Sequence, residues 1–373
     1  MKVVFLTSIP IIKQHRFDMQ IDAISDFYET EIWDLSALYN QNEVMYEKDN
    51  SCKSVFSLDQ LRCLLLEELK VTKIVVVTNI LLIGLKKIYP VIHEMKIPII
   101  NINKDSIAQW LIDISTLRNF SHIRIRSVIR ALIRRNTITR KVYNFYLNGF
   151  VKYDYQLASY NFFPEESKKF IKIHNVKYDE FLDAQNHLNI VGSDYILFID
   201  AALADHPMFM KSANRLDKAS YLKQLNSYFQ LIEKKYKIKV IISAHPKSNY
   251  SENDFEGRKI FLYKTPILIR HAKYIVTHYS TSLFDVILQK KPFKVLYSKE
   301  LLDAACSITV RSGIQVAKLV DVDCVNLDNP TFDDFRVSDS AYEAFKLKYL
   351  VNSDKMGIHN KELILQFLSQ LEV

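Results

Sequence analysis

The stretch AKYIVTHYSTSLFDVILQKKPFKVLY, residues 272–297, decides the fold. Tyr274–Thr277 is a short β-branched and aromatic run, Ser282–Gln289 carries a helical pattern, and Phe293–Tyr297 returns to strand residues. A strand, a helix and a strand in so short a span make a βαβ unit, the building block of a parallel sheet. Upstream the same rhythm gives strands at Tyr195–Ile199, Ile238–Ser243 and Lys259–Tyr263, with helices at Lys218–Tyr236 and Pro266–Ala272. The first half repeats it, with strands expected at Val3–Thr7, Glu31–Leu35, Lys73–Thr78, Ile97–Asn101 and 153–160. The segment from Lys168 to Asp183 leads out of that half. The reading is α/β, two Rossmann-like doubly wound domains at 1–185 and 186–355. The periodicity of Tyr342–Leu371 adds a C-terminal helix, 356–373, that crosses back onto the first domain.

Composition agrees with two cores. A chain of 373 residues exceeds the roughly 250–300 at which one core stops growing. Six glycines and nine prolines leave little room for long linkers. Four cysteines without a CxxC pair exclude a disulfide framework or structural zinc and fit a reducing cytoplasm. The apolar start MKVVFLTSIPIIK is broken by Pro10 and Lys13 and reads as a first strand rather than a signal peptide. No stretch reaches the ~20 apolar residues of a membrane span, so the chain is expected to be cytoplasmic, free or peripheral at the inner membrane.

The net charge of +8 is unevenly placed. No acidic residue stands between Asp113 and Asp154, while eight Lys and Arg accumulate from Arg118 to Lys141. Interleaved with apolar residues, Arg126, Arg130 and Arg134 read as a helix face toward an anionic membrane surface or an anionic acceptor, or as a solvated face. Few stacking aromatics accompany them, and nucleic acid is not expected as a partner.

In open α/β sheets, ligands sit outside the carboxyl ends of strands, which singles out Asp200, His245 and THYSTS at 277–282. The hydroxyls of Ser280, Thr281 and Ser282, with the free amides of a following helix, would hold a phosphate; the bland alternative is a helix cap. His245, fixed by Pro246 and helped by Lys247, could hydrogen-bond or protonate a leaving phosphate, or belong to an ordinary turn. Asp200 is the candidate catalytic carboxylate, as base or nucleophile, against a plain loop cap. GxGxxG, GxxxxGK[ST] and GxSxG motifs are absent, which excludes a dinucleotide oxidoreductase, a P-loop NTPase and an α/β-hydrolase. DVD at 321–323 runs into CVNL and reads as structural.

Together, SAHPKS and RHAKYIVTHYSTSLFDVILQKKP resemble the nucleotide-binding half of GT-B glycosyltransferases that build bacterial surface polysaccharides such as capsule, O-antigen and lipopolysaccharide. The HP and serine motifs are similar to those of CMP-sialic acid and CMP-Kdo (3-deoxy-manno-octulosonic acid) transferases, and KFIKIHNVKYDEFL followed by YILFIDAALADHP adds to the likeness. The resemblance implies a GT-B fold with two domains facing a cleft. It implies transfer of an acidic 2-keto sugar from a CMP-activated donor to a glycan or lipid-linked acceptor. His245, Pro246, Lys247, Ser280, Thr281 and Ser282 would bind the nucleotide, Asp200 and His245 would be catalytic, and no metal or other cofactor would be needed. The acidic pair followed by glycine found in many sialyltransferases is absent, which leaves Kdo or another nonulosonate. Rival readings are a CDP-glycerol or CDP-ribitol polyol-phosphate transferase, a UDP-sugar enzyme or epimerase, and a non-catalytic subunit of a polysaccharide assembly complex.

Overall fold

The computed structural model describes residues 1–39, 51–102 and 149–372, apart from positions 10, 12, 162, 163, 211, 252 and 332. The basic region with Arg126, Arg130 and Arg134 lies outside the described residues. Two compact units emerge: one ends at Val176 and resumes at Asn352, and the other runs from Lys177 to Val351.

The first unit holds seven parallel strands: β1 Lys2–Thr7, β2 Glu29–Asp34, β3 Cys52–Ser54, β4 Ile74–Thr78, β5 Ile99–Ile102, β6 Tyr153–Ala158 and β7 Ser167–Lys172, in the order β3-β2-β1-β4-β5-β6-β7. The second holds six: β8 Tyr195–Ile199, β9 Lys239–Ser243, β10 Ile260–Phe261, β11 Tyr274–Thr277, β12 Phe293–Tyr297 and β13 Cys324–Asn326, in the order β10-β9-β8-β11-β12-β13. Both orders begin 3-2-1-4-5-6, the doubly wound pattern in which the chain reverses direction beside its first strand. Five helices matter below: α1 Leu58–Val71, α2 Lys218–Tyr236, α3 Leu283–Leu288, α4 Ser307–Leu319 and α5 Asn360–Glu372.

Parallel strands are buried on both faces, so they read as continuous apolar runs rather than alternating ones. In β1, Val4 and Leu6 enter the core under α1, while Val3 and Phe5 enter the opposite core. That opposite core takes Leu363, Ile364, Phe367 and Leu368 from α5, so the last helix does return to the first unit. In the second unit α2 begins at Asp217, whose side chain accepts from Ser220 N (2.8 Å), and ends at Lys237 in the left-handed region. Its Tyr221, Leu225, Phe229 and Ile232 pack on Ile196, Phe198 and Val240 of the sheet.

The boundaries differ from those expected at 185/186 and 355/356. The helical turn after Val176 joins the second unit, where Lys177 Nζ lies 3.8 Å from the wholly buried Asp285 Oδ2 of α3. At the other end Asn352 N donates to His174 Nδ1 (3.1 Å) and Asn352 Nδ2 to the Lys172 carbonyl (2.8 Å), which carries the chain into the first unit. The expected continuous tail helix is broken between Val351 and Ile358, where Asn352 caps a 3-10 turn and Gly357 adopts φ 84°. Lys168–Asp183 is not a plain exit segment, because Ser167–Lys172 forms strand β7.

Candidate phosphate site of the second unit

The second sheet reverses between β8 and β11, and this is where its carboxyl ends carry chemistry. Ile199 is in register with Ser243 on one side and with Thr277 on the other. Thr277 Oγ1 donates to the Ile199 carbonyl (2.9 Å), locking the two strand ends. Asp200, His245 and the THYSTS segment therefore leave three adjacent strands at one rim.

His245–Ser248 is a β-turn closed by Ser248 N donating to the His245 carbonyl (2.9 Å), with Pro246 at the position where its fixed φ suits the turn. Inside the turn Lys247 N donates to His245 Nδ1 (3.1 Å). A ring nitrogen that accepts carries no proton, so neutral His245 bears its hydrogen on Nε2. Burial lowers the His245 pKa from its ordinary value, Asp200 raises it, and Lys247 lowers it further. The imidazole is thus held as a neutral donor with a fixed tautomer.

Asp200 corrects the expectation of an available catalytic carboxylate. It is buried, and its Oδ1 accepts from Ala202 N (3.0 Å) and Tyr250 Oη (3.0 Å). Its Oδ2 accepts from His245 N (3.1 Å) and Ser248 Oγ (2.5 Å). Four donors fill the roughly four lone-pair sites of a carboxylate, leaving none for an acceptor hydroxyl. Asp200 holds the His245–Ser248 turn in place.

The residues after Asp200 fold back over the same rim. Ala202 adopts φ 52°, a left-handed conformation costing about 1–2 kcal/mol for a non-glycine residue. Its carbonyl then accepts from both Asp205 N (3.1 Å) and His206 N (2.7 Å). Asp205 Oδ2 accepts from Lys218 Nζ (2.8 Å) and Asn249 N (3.0 Å). The His206 ring lies 5.9 Å from that of His245, and Lys247 Nζ stands 3.5 Å from His206 Nε2. Sequence reading gave His206 no role, because the turn that brings it back depends on a backbone conformation that alanine does not announce.

THYSTS also departs from expectation. Ser282 N donates to Ser280 Oγ (3.2 Å), Leu283 N to the Ser280 carbonyl (2.9 Å) and Phe284 N to the Thr281 carbonyl (3.1 Å). The first amides of α3 are therefore spent on local turns, and the site keeps hydroxyls rather than a cradle of helix amides. Thr281 is exposed, and Ser280 and Ser282 are half-buried. Beneath them His278 is wholly buried, with Nδ1 on the Leu296 carbonyl (2.8 Å), and burial lowers its pKa to about 4. Gly313 of α4 presses on this segment so closely that a Cβ there would lie 1.9 Å from the His278 carbonyl oxygen.

Among the described residues no group of three or more His, Cys, Asp or Glu is placed to hold a metal ion. No described helix is long and apolar enough to cross a membrane. DVD at 321–323 is a turn into β13: Asp321 has φ 55° and Asp323 pairs with Arg336.

Comparison with solved structures defines the class of fold. The apo form of UGT2 from Phytolacca americana aligns with a TM-score of 0.52 at 10% identity, over 100% of both chains. The same enzyme complexed with UDP-2-fluoro-glucose and pterostilbene aligns at 0.50 and 9%, again over 100% of both. UDP-GlcNAc 2-epimerase from Methanocaldococcus jannaschii aligns at 0.49 and 13%, over 99% of this chain and 100% of that one, a similarity too low to argue from. The chain has the GT-B fold, with two Rossmann-like units. No protein-family model and no curated protein matches it.

Proposed function

We propose that the chain is a glycosyltransferase that takes an acidic 2-keto sugar, Kdo or another nonulosonate, from a CMP-activated donor and passes it to a surface glycan or glycolipid. One observation carries this reading. The rim offers a fixed Nε2–H donor on His245, the Lys247 ammonium and the hydroxyls of Ser280, Thr281 and Ser282, while the first amides of α3 are already engaged. That set suits a single phosphate better than a pyrophosphate, which profits from open helix-end amides. The HP and serine motifs support the same donor class.

In transfer, the bond between the anomeric carbon and the phosphate oxygen breaks, its electron pair stays on the phosphate, and the acceptor oxygen bonds to the carbon. His245 Nε2–H donates to the phosphate as that charge develops, and Lys247 balances it. Asp200 acts through the turn it holds, as a positioning residue. Asp205, whose Oδ1 has no hydrogen-bond partner among the described residues, is the carboxylate of this rim suited to take the acceptor's proton. No metal is needed in this scheme, because the donors and one ammonium neutralise a single phosphate.

A UDP-sugar donor is the second reading, favoured by the likeness to UGT2, whose structure was determined with UDP-2-fluoro-glucose. Isothermal titration with CMP, CDP, UDP and GDP in EDTA separates them. CMP should bind best, and His245→Ala should weaken it about tenfold or more, in line with losing a charge-assisted hydrogen bond. Preference for UDP, or no nucleotide binding by the folded protein, overturns the donor assignment.

A further inference from the structure

We propose that Tyr221 and His278 form a latch beneath the phosphate site: a bound phosphate draws the His245 turn and the serine segment together, and the Tyr221 hydroxyl then donates to His278 Nε2. The proposal rests on the phosphate reading above. Its geometry is independent of that reading and consists of two buried, complementary groups that the resting protein leaves unpaired. His278 Nδ1 faces the Leu296 carbonyl at 2.8 Å, and a carbonyl only accepts, so Nδ1 carries the ring hydrogen and Nε2 an unshared pair. Burial keeps the ring neutral. His278 Nε2 and Tyr221 Oη are both buried, and neither has a hydrogen-bond partner among the described residues. One can accept and the other can donate, with the two ring centroids 5.6 Å apart.

The two side chains belong to opposite halves of the site. Tyr221 lies in the first turn of α2, which is tied to the His245 half. There Lys218 Nζ donates to Asp205 Oδ2 (2.8 Å) and to the Asn249 carbonyl, and it stands 4.8 Å from the centre of the Tyr250 ring, whose hydroxyl donates to Asp200 (3.0 Å). His278 precedes Ser280 by two residues and is held on its own side, its ring on Leu296 of β12 and its carbonyl oxygen against Gly313 of α4. Each ring is therefore placed by contacts other than a bond between them. Phe198 meets the imidazole edge-on at 5.9 Å and offers no polar atom. The ionisable groups whose charge reaches Tyr221 are Tyr250, Asp200, Cys306 and Asp205, and none of them bonds its hydroxyl. A buried donor or acceptor left unpaired costs the desolvation of that group, so the resting protein carries two such costs. A phosphate held by His245 and Lys247 on one side and by Ser280–Ser282 on the other favours the arrangement that brings the halves closer, and closing the pair recovers both costs. A contact made only in the bound state adds its whole free energy to affinity. Tyr221 is thus a positioning residue: it does not touch the phosphate and acts through the serine segment.

The test is Tyr221→Phe, which removes the hydroxyl and keeps the ring, followed in the full chain by urea unfolding without ligand and by titration with CMP. Loss of an unpaired buried hydroxyl should leave the urea midpoint equal to or above that of wild type. CMP affinity should nevertheless fall about five- to tenfold, the worth of one hydrogen bond made on binding. A hydroxyl with a merely structural role would lower the midpoint instead. His278→Asn supplies a second variant, since its amide N–H stands where Nδ1–H stood for the Leu296 carbonyl and nothing remains at the Nε2 position. Adding Tyr221→Phe to His278→Asn should weaken CMP binding no further. Unchanged CMP affinity in Tyr221→Phe, a lowered midpoint, or full additivity of the two losses overturns the latch while leaving the phosphate site standing. If His278→Asn does not fold, the two readings on Tyr221→Phe decide alone. Absence of CMP binding by the folded wild-type protein removes the phosphate reading and the latch with it.

Discussion

The two sheets end their central strands with the same device and then do different things with it. In the first unit Thr78, last residue of β4, donates its Oγ1 to the Leu6 carbonyl of β1 at 2.8 Å. In the second unit Thr277, last residue of β11, donates to the Ile199 carbonyl of β8 at 2.9 Å. Each threonine bonds to its own register partner, so the strand ends are equivalent. Beyond them the first unit continues Asn79–Ile80–Leu81–Leu82–Ile83, with Leu81 and Ile83 exposed, and the second continues His278–Tyr279–Ser280–Thr281–Ser282. After the first strand of each sheet stand Ser8 and Ile9 in one unit and the four-times-bonded Asp200 in the other. One backbone solution thus carries exposed Leu81 and Ile83 after β4 in one unit and the three hydroxyl side chains of Ser280–Ser282 after β11 in the other, and the difference lies in the few residues after each strand. This is the physical reason the phosphate chemistry is assigned to the second unit.

The sharpest way to break the comparison is at the glycine behind each rim. Gly313→Ala places a methyl group against the His278 backbone oxygen, which cannot yield without moving the segment that carries Ser280–Ser282. The expected cost is about 2–4 kcal/mol in urea unfolding, with CMP binding lost. Gly84→Ala, in the short helix after β4, would meet side-chain atoms alone, the Ile80 Cγ2 methyl at 3.0 Å and the Tyr39 ring at 3.4 Å, and should cost about 1 kcal/mol, less than Gly313→Ala. Similar losses at the two sites would mean that the rims are not held differently.

The next largest effect is expected at Asp200. Asp200→Asn keeps the shape but presents an NH2 group to donors, so one side of the turn is left unsatisfied, at about 1–3 kcal/mol. Because Asp200 positions the His245 turn, CMP affinity should fall together with transfer. Loss of transfer with unchanged CMP affinity would restore a catalytic role to this carboxylate.

A further effect appears only as pH falls, and it belongs to the first unit. His174 is buried, accepts from Asn352 N at Nδ1 and reaches the Lys355 carbonyl at 3.0 Å through Nε2, so it must be neutral there. Burial lowers its pKa to about 4. The unfolded chain protonates this histidine near pH 6.5 and the folded chain only near 4. Stability from the group is complete above pH 6.5 and is lost as pH falls toward 4, on the order of 2–3 kcal/mol. His174→Gln should flatten the dependence of the urea midpoint on pH between 6.5 and 4.5; an unaltered slope would show that His174 is not the titrating group.

Sequence made the alternating core legible because parallel strands advertise themselves as apolar runs: 195–199, 274–277 and 293–297 begin and end where expected. The strands that escaped are short or polar. Cys52–Ser54 has three residues, and SKKFIK at 167–172 is an edge strand whose lysines face outward, a common guard against edge pairing. Helix α4, SITVRSGIQVAKL, is rich in β-branched residues and includes Gly313, so propensity argues against what packing enforces. In the site, the proline turn was local and readable. The partners of Asp200 were not, because Ser248 and Tyr250 stand 48 and 50 residues away in sequence.

The return of α5 to the first unit sets the order in which the chain can mature. Four apolar side chains near residue 365 complete a core whose other members begin at Val3. The described part of the second unit lies between Lys177 and Val351, so it can close on itself before the last helix is made. The first cannot finish until the final helix has left the ribosome, and its closing contacts have the longest sequence separation in the molecule. Folding should therefore be biphasic, with the unit encoded second maturing first and the slow phase reporting the docking of the last helix.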